Sequence, residues 1–223
     1  MLDSEAVVLA GHGSRREKSN GQVRELAAGL EGRLGLPTNA GFIELEEASI
    51  GEAIGSLAPS VSDVTVVPLS LFAARHVKAD VPLVVNEARA EHDVDVHGGR
   101  HLGVHPAIVE LLDDRVESVE NDLGVDRTDD DVLVVLCARG SSDPDSNGDV
   151  HKLARLLYEG RAFVDVEAAF IGVTEPLLED ALHTVSKRRP DAVVVVPYML
   201  GDGVLTGRIR ERTAEFDDEY PYA

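Results

Sequence analysis

Two histidines and one glutamate stand at matching places along the chain. His12 follows the apolar run 6–10, Glu44 follows the apolar segment 40–43, and His76 lies beyond the apolar segment 64–69. Neighbouring members of this set are 32 residues apart, an interval close to the ~30 residues of one strand-helix unit. Ligands bind at the carboxyl ends of strands in parallel α/β sheets. We therefore expect the three side chains to face one crevice.

Two imidazoles and a carboxylate suit first-row divalent metals such as Co, Ni, Fe or Zn. Such a set can hold a permanent metal that activates water, as in a hydrolase. It can instead hold a metal briefly and pass it on. The sequence has no Gly-x-x-x-x-Gly-Lys motif, so nothing in it predicts an ATP site.

Alternating strand and helix patterns predict the elements that position these residues. In the first half, strands are expected near residues 6–10, 39–43, 64–69 and 94–97, each followed by an apolar stripe with helical spacing. Ser19 or Asn20 is expected to cap the first helix, and Pro106 to open the fourth. Repeated strand-then-helix order predicts a parallel, doubly wound sheet.

The plan restarts beyond a polar segment, 121–131, which is typical of a solvated linker. Residues 136–141 parallel residues 9–14, with Arg139 in the place of His12; residues 169–172 parallel 41–44, and 193–200 parallel 64–71. The place of His76 is taken by Leu205. Because the second copy lacks all three candidate ligands, a chemical role in the first copy is favoured over a structural one.

This repeat predicts an α/β protein of two similar lobes, each a parallel sheet flanked by helices. We expect an N-terminal lobe over residues 1–126 that carries the metal site, and a degenerate C-terminal lobe over residues 127–223. The expected assembly is a monomer with pseudo-twofold lobes.

Composition narrows the range of partners. The chain carries 41 acidic and 21 basic residues, a formal net charge of -20, and such a field repels nucleic acid and anionic membranes. An acidic excess spread along the whole chain is typical of a halophilic protein. No signal peptide or membrane span is predicted, so we expect a cytoplasmic protein. Cys137, the one cysteine, is expected to be a small buried apolar residue.

Several motifs together resemble the CbiX family of sirohydrochlorin chelatases in its long, two-lobe form. The resemblance covers nearly the whole chain. In the first half it rests on residues 11–15, 42–44, 67–71 and on His76 with 80–82; in the second half it rests on 139–144, 171–176 and 197–200. The sequence departs from the usual family pattern at residues 73–75, just before the second histidine.

The resemblance implies an ATP-independent metal chelatase of cobalamin biosynthesis. It would insert a divalent metal, Co²⁺ by first choice, into the tetrapyrrole sirohydrochlorin with release of two pyrrole protons. His12, Glu44 and His76 would be catalytic, and the two histidines would hold the metal. Neutral imidazoles can present a metal and accept protons near neutral pH. The metal is a substrate, and no organic cofactor is required.

The tetrapyrrole bears many carboxylates, so an acidic protein needs local donors for it. The candidate substrate-binding residues are Ser14, Arg15, Arg75, Lys78, Arg139 and Ser141. A guanidinium cannot bind a cation, but it can hold a carboxylate through two hydrogen bonds. Arg139 is therefore expected to anchor the substrate. The alternative is that Arg139 pairs with Asp143 or Asp145 and only fixes its own loop.

Other functions are compatible with these residues. An iron or nickel chelatase would use the same three residues, and a non-catalytic carrier of metal or tetrapyrrole belongs to a different class. A histidine phosphatase is disfavoured because its arginine usually precedes His-Gly, where this chain has Ala10-Gly11. His97, His101 and His105 could form an accessory metal or substrate site at the end of the fourth strand, or His105 could shape the helix start at Pro106.

Overall fold

The computed structural model describes residues 4–72 and 76–219, with the side chains of residues 76, 77, 218 and 219 left out. The chain divides into two compact units, Met1–Gly103 and Val104–Ala223. Both units alternate strands with helices, as the sequence predicts.

The first unit contains a fully parallel four-stranded sheet in the order β2-β1-β3-β4. A π-helical turn, His76–Asp80, leads into its third helix. The strands are β1 Glu5–Gly11, β2 Thr38–Phe42, β3 Asp63–Pro68 and β4 Asp95–Gly98, and the helices are α1 Glu17–Leu34, α2 Ile50–Leu57 and α3 Val81–Glu91.

Burial on both faces explains why β1 is a continuous apolar run. One face of the sheet packs against α1 through Leu9 and Ala27, and the other packs against α2 and α3 through Val8, Ile54 and Val85. Gly35 ends α1 in the left-handed conformation, with φ 67°. The expected helix start is wrong, because Arg16 stands at the N-cap position and Asn20 is buried within α1.

The second unit contains a parallel three-stranded sheet in the order β6-β5-β7. Every residue of its central strand is buried, including Cys137, where desolvation raises the thiol pKa to about 12. The expectation of a small buried cysteine is confirmed. The elements are α4 Pro106–Leu123, β5 Val132–Ala138, α5 Pro144–Tyr158, β6 Asp165–Phe170, α6 Leu178–Ser186, β7 Ala192–Pro197 and α7 Val204–Glu219.

The two sheets share one plan. In each, the first strand of the unit lies between the second and the third. The loops after the second strands are also alike, because Phe42 bridges Ser49 in one and Phe170 bridges Leu177 in the other. The predicted fold class, two similar lobes that are each a parallel sheet flanked by helices, is confirmed.

Helix α4 lies in the second unit, where it contacts α5 and β7. The compact units thus divide after Gly103, whereas the sequence placed the lobe boundary between residues 126 and 127. Periodicity identifies a helix but gives no information on which sheet the helix covers.

The polar segment 121–131 is not a free linker. The Arg127 Nε atom donates to both Glu120 carboxylate oxygens at 2.9 and 2.8 Å, and Arg127 also pairs with Asp113. Arg161 binds the other Asp113 oxygen at 2.7 Å, and the Arg127 guanidinium lies 4.2 Å from the centre of the Phe163 ring. The segment is therefore fixed to α4.

In the described part of the chain, no helix is long and apolar enough to cross a membrane.

Candidate active site

The loops that follow β1 and β2 are hydrogen-bonded to each other, and this brings His12 and Glu44 together. Ile43 N donates to Gly11 O at 3.0 Å, and Glu44 N donates to His12 O at 3.1 Å. These bonds extend the β1–β2 ladder past the ends of the strands. The predicted convergence of His12 and Glu44 at the carboxyl edge of the sheet is seen in the structure.

Gly13 makes this approach possible. Its φ is +92°, and a Cβ atom at this position would lie 1.7 Å from the Glu44 carbonyl oxygen. Any other residue would have to push the two loops apart. The second unit repeats the arrangement at Gly140, with φ +85° and 2.1 Å from such a Cβ to Gly172 O. The structure therefore matches position 12 to Arg139 and position 44 to Gly172.

The His12 and Glu44 side chains form an open pair. His12 Nε2 lies 3.5 Å from Glu44 Oε1, and the side chains are 48% and 52% exposed. Two ligands that each lie about 2.1 Å from a tetrahedral metal are about 3.4 Å apart. The pair thus has the spacing of two ligands to one metal, and an incoming ion can reach it.

The third expected ligand, His76, is the first residue of the π-helical turn before α3. Its side chain lies outside the described residues, so its meeting with His12 and Glu44 stays a prediction. Among the described side chains, no group of three histidine, cysteine or carboxylate residues has metal-binding geometry. Arg75, a predicted substrate-binding residue, also lies outside the described residues.

Helix α1 supports the loop that carries Glu44. Arg24 Nη2 binds Glu46 Oε1 at 2.6 Å and Glu47 O at 2.9 Å, while Asn20 Nδ2 donates to Ser14 O at 2.7 Å and also to Glu46. These bonds fix the loop that carries Glu44. Sequence reasoning missed these roles of Asn20, Arg24 and Glu46; an asparagine within a helical stripe was the signal available.

The two predicted serines occupy equivalent turns. Ser14 Oγ accepts from Arg16 N at 3.1 Å, and Ser141 Oγ accepts from Asp143 N at 3.0 Å. Each hydroxyl oxygen thus accepts a hydrogen bond within its own loop, and its O–H can still donate one.

The described basic candidates are all exposed: Arg15, Lys78 and Arg139. Arg139 directly follows β5. In the described part of the chain, no hydrogen bond or ion pair of its guanidinium is found, so the alternative of a pair with Asp143 or Asp145 is not seen. The guanidinium can therefore meet a ligand without first breaking a bond to the described residues.

Among the described side chains, the histidines of segment 97–105 belong to no group with metal-binding geometry. His97 Nε2 contacts Asp63 Oδ1 at 3.2 Å. The pKa of Asp63 is lowered mainly by a hydrogen bond from Ser62 and to a smaller extent by the one from His97. His105 Nδ1 accepts from Ala107 N at 3.2 Å and so caps α4. His105 thus shapes the helix start, as one of the two expectations held.

Exposed apolar side chains follow the second-unit strands, and sequence reasoning missed them. Val173 is 65% exposed, Val204 55% and Leu200 48%. Val173 has φ 69° and its first-unit counterpart Leu45 has φ 65°; positive φ is costly for such side chains. Both loops thus hold an apolar side chain in solvent at the edge where ligands bind.

Solved structures of similar fold include a sirohydrochlorin chelatase. SirB from Bacillus subtilis with Fe3+ matches over 96% of this chain and 84% of that chain, with a TM-score of 0.84 and 27% identity. SirB from Bacillus subtilis subspecies spizizenii in complex with cobalt matches over 98% of this chain and 84% of that chain, with a TM-score of 0.79 and 25% identity.

Sequence relatives agree with this class. A sirohydrochlorin cobaltochelatase of Priestia megaterium is 33% identical over 95% of this chain and 69% of its own length, and a sirohydrochlorin ferrochelatase of the same organism is 29% identical over 96% and 80%. The family model for CbiX matches residues 6–119 and 133–223. The chain belongs to the CbiX family, as its motifs predict, and is an enzyme of the metal chelatase class.

We expect Gly13→Ala to damage the site through the backbone. The methyl group meets Glu44 O in a conformation that alanine disfavours, so the free energy of unfolding should fall by about 1–3 kcal/mol, and Co²⁺ binding measured calorimetrically should weaken. Gly29→Ala is the control, since Gly29 is exposed on α1 and a Cβ there meets nothing within 4 Å. This substitution should stabilise the helix by up to about 1 kcal/mol. Unchanged urea unfolding and Co²⁺ affinity in Gly13→Ala would contradict the close approach.

Proposed function

We propose that this chelatase inserts a divalent metal ion, Co²⁺ by first choice, into sirohydrochlorin. The observation that carries the proposal is the open His12–Glu44 pair, with 3.5 Å between Nε2 and Oε1 at the carboxyl edge of the first sheet. The names of the relatives support the substrate. The 33% identical relative named a cobaltochelatase supports cobalt.

In this proposal His12 Nε2 and Glu44 receive the metal as a substrate, and His76 completes the set. The metal then passes to the four ring nitrogens while two pyrrole protons leave. Charge balances because a divalent ion replaces two protons on the macrocycle. Glu44 offsets the charge of the metal before transfer and can accept a proton afterwards, and an imidazole without metal can accept the other.

Iron is the second candidate metal. A relative at 29% identity is named a ferrochelatase, and a structure with a TM-score of 0.84 holds Fe3+. Imidazole and carboxylate donors suit both metals, and selectivity between them depends on supply as well as affinity.

We propose that the enzyme acts as a monomer in cobalamin biosynthesis and that its acidic surface reflects a halophilic, cytoplasmic setting.

The test of this function is direct metal insertion. Purified protein is mixed anaerobically with sirohydrochlorin and limiting Co²⁺, Ni²⁺ or Fe²⁺, and the visible absorption change is followed. We expect turnover without ATP and the highest kcat/KM with Co²⁺. A clear preference for Fe²⁺ would support the iron alternative, whereas tetrapyrrole binding without turnover would support a carrier.

Variants of the three proposed catalytic residues should separate their roles. We expect His12→Ala and His76→Ala each to lower kcat by about 10²-fold or more, because each removes a metal donor and a proton acceptor. Glu44→Gln keeps its shape and loses only charge, so about a 10-fold loss is expected. His151→Ala removes an exposed imidazole of α5 and should retain full activity. Near wild-type turnover by a folded His12→Ala variant would refute this metal route.

Arg139 is proposed to hold a substrate carboxylate. Its exposed guanidinium has no partner in the described part of the chain, and one charged hydrogen bond contributes about 1.5–3 kcal/mol. Arg139→Ala should therefore raise KM for sirohydrochlorin about 10-fold with little change in the KM for metal, and Arg139→Lys should lie between. Arg115→Ala, which removes an exposed charge of α4, is the control for loss of charge. Unchanged KM with a lowered melting temperature would leave Arg139 a structural role only.

A further inference from the structure

A cavity of about 390 Å³ opens at the carboxyl end of β3 and β4 in the first unit. Its walls come from the ends of the two strands, one side of α3 from Val81 to Arg89 and the segment after β4. The lining residues are Pro68, Val81, Pro82, Val85, Asn86, Arg89, Gly98, Gly99, Arg100 and His101. Its volume is within the usual range of small-molecule sites.

The polar lining of this cavity is basic. Arg89 is oriented by two bonds, from Nε to Val96 O at 2.5 Å and from Nη1 to Asn86 Oδ1 at 3.1 Å, which leave its Nη2 for another acceptor. Arg100 is exposed and has no hydrogen bond or ion pair to another described residue. His101 is half-buried beside it. None of the described lining residues is acidic, in a chain with 41 carboxylates.

The cavity shares the edge of the sheet with the His12–Glu44 pair. Strand β4 is two strands from β1 in the order β2-β1-β3-β4, a lateral distance of about 10 Å. Val81 and Pro82 in its wall directly follow the π-helical turn that begins at His76. A ligand that spans the metal-binding residues can thus reach this cavity with a side arm.

We propose that this cavity binds a carboxylate arm of the tetrapyrrole, with Arg100 and Arg89 as the donors to the carboxylate. Guanidinium groups match the geometry of a carboxylate and stay charged at any working pH. The apolar wall of Pro68, Val81 and Val85 fits the aliphatic stem and the edge of the ring. This inference rests on the proposed function.

The second unit supports this assignment by contrast. Its sheet stops at the third strand, and in the described residues of that unit nothing takes the place of β4. The cavity thus occurs in the unit that carries His12 and Glu44. Its place in that unit associates it with the residues proposed to receive the metal.

The test measures sirohydrochlorin binding without metal, by titration of its absorption and fluorescence, beside the insertion kinetics. Arg100→Ala should weaken binding and raise KM for sirohydrochlorin about 10-fold, Arg100→Lys should do so less, and Arg100→Glu more. The affinity for Co²⁺ and the melting temperature should stay unchanged. Arg33→Glu is the matched control, because Arg33 is exposed on the last turn of α1, at the opposite edge of the sheet.

The outcomes separate the two proposals. If the wild type binds and metallates sirohydrochlorin while Arg100→Ala and Arg100→Glu behave like it, the cavity is not a substrate site although the function stands. The same holds if Arg33→Glu weakens binding as much as Arg100→Glu, since net charge alone would then explain the effect. If the wild type neither binds nor metallates sirohydrochlorin, the proposed function fails and this inference fails with it.

Discussion

The close approach of two loop backbones at the carboxyl edge of each sheet is the constraint on which the site depends. A Cβ atom at Gly13 would overlap Glu44 O, and one at Gly140 would overlap Gly172 O. Both glycines are in a left-handed conformation, which glycine adopts without steric cost. In each unit this contact holds two neighbouring loop positions side by side. The residue types at those positions then decide the chemistry: histidine and glutamate can hold a cation, whereas arginine and glycine cannot.

The arginines that bind an acidic ligand must attract it in spite of the protein's formal net charge of -20. Many arginines remote from the strand ends are already paired, as Arg127 is with Asp113 and Glu120. An arginine in such a pair offers little to a ligand, because its donors are in use and its charge is neutralised. Arg100 and Arg139 differ, since neither has a partner among the described residues. An exposed guanidinium of this kind can bind an acidic ligand without the cost of breaking an internal bond.

The sequence predicts those features that depend on neighbours along the chain. Apolar runs gave the strands, and the repeat of residues 9–14 at 136–141 gave two sheets of like order. The motif Gly11-His12-Gly13 correctly indicated an imidazole at the carboxyl end of β1. Features that depend on tertiary packing were missed: the place of α4 in the second unit, the binding of Arg127 to α4, and the part that α3 plays in lining the cavity beside β4. A helical stripe is satisfied by any apolar surface, so periodicity cannot choose between two sheets.

Sites for a divalent cation and for carboxylates conflict when they share one position. A guanidinium in the place of Glu44 would repel the metal, and a glutamate in the place of Gly172 would neutralise the Arg139 guanidinium and repel a carboxylate. The chain has a histidine and a glutamate in one unit and, at the matching places, Arg139 and Gly172 in the other. In Gly172 the second unit lacks the carboxylate that would pair with Arg139, so the guanidinium keeps its charge for a ligand. Duplication of one loop frame thus permits two incompatible kinds of recognition within a single chain.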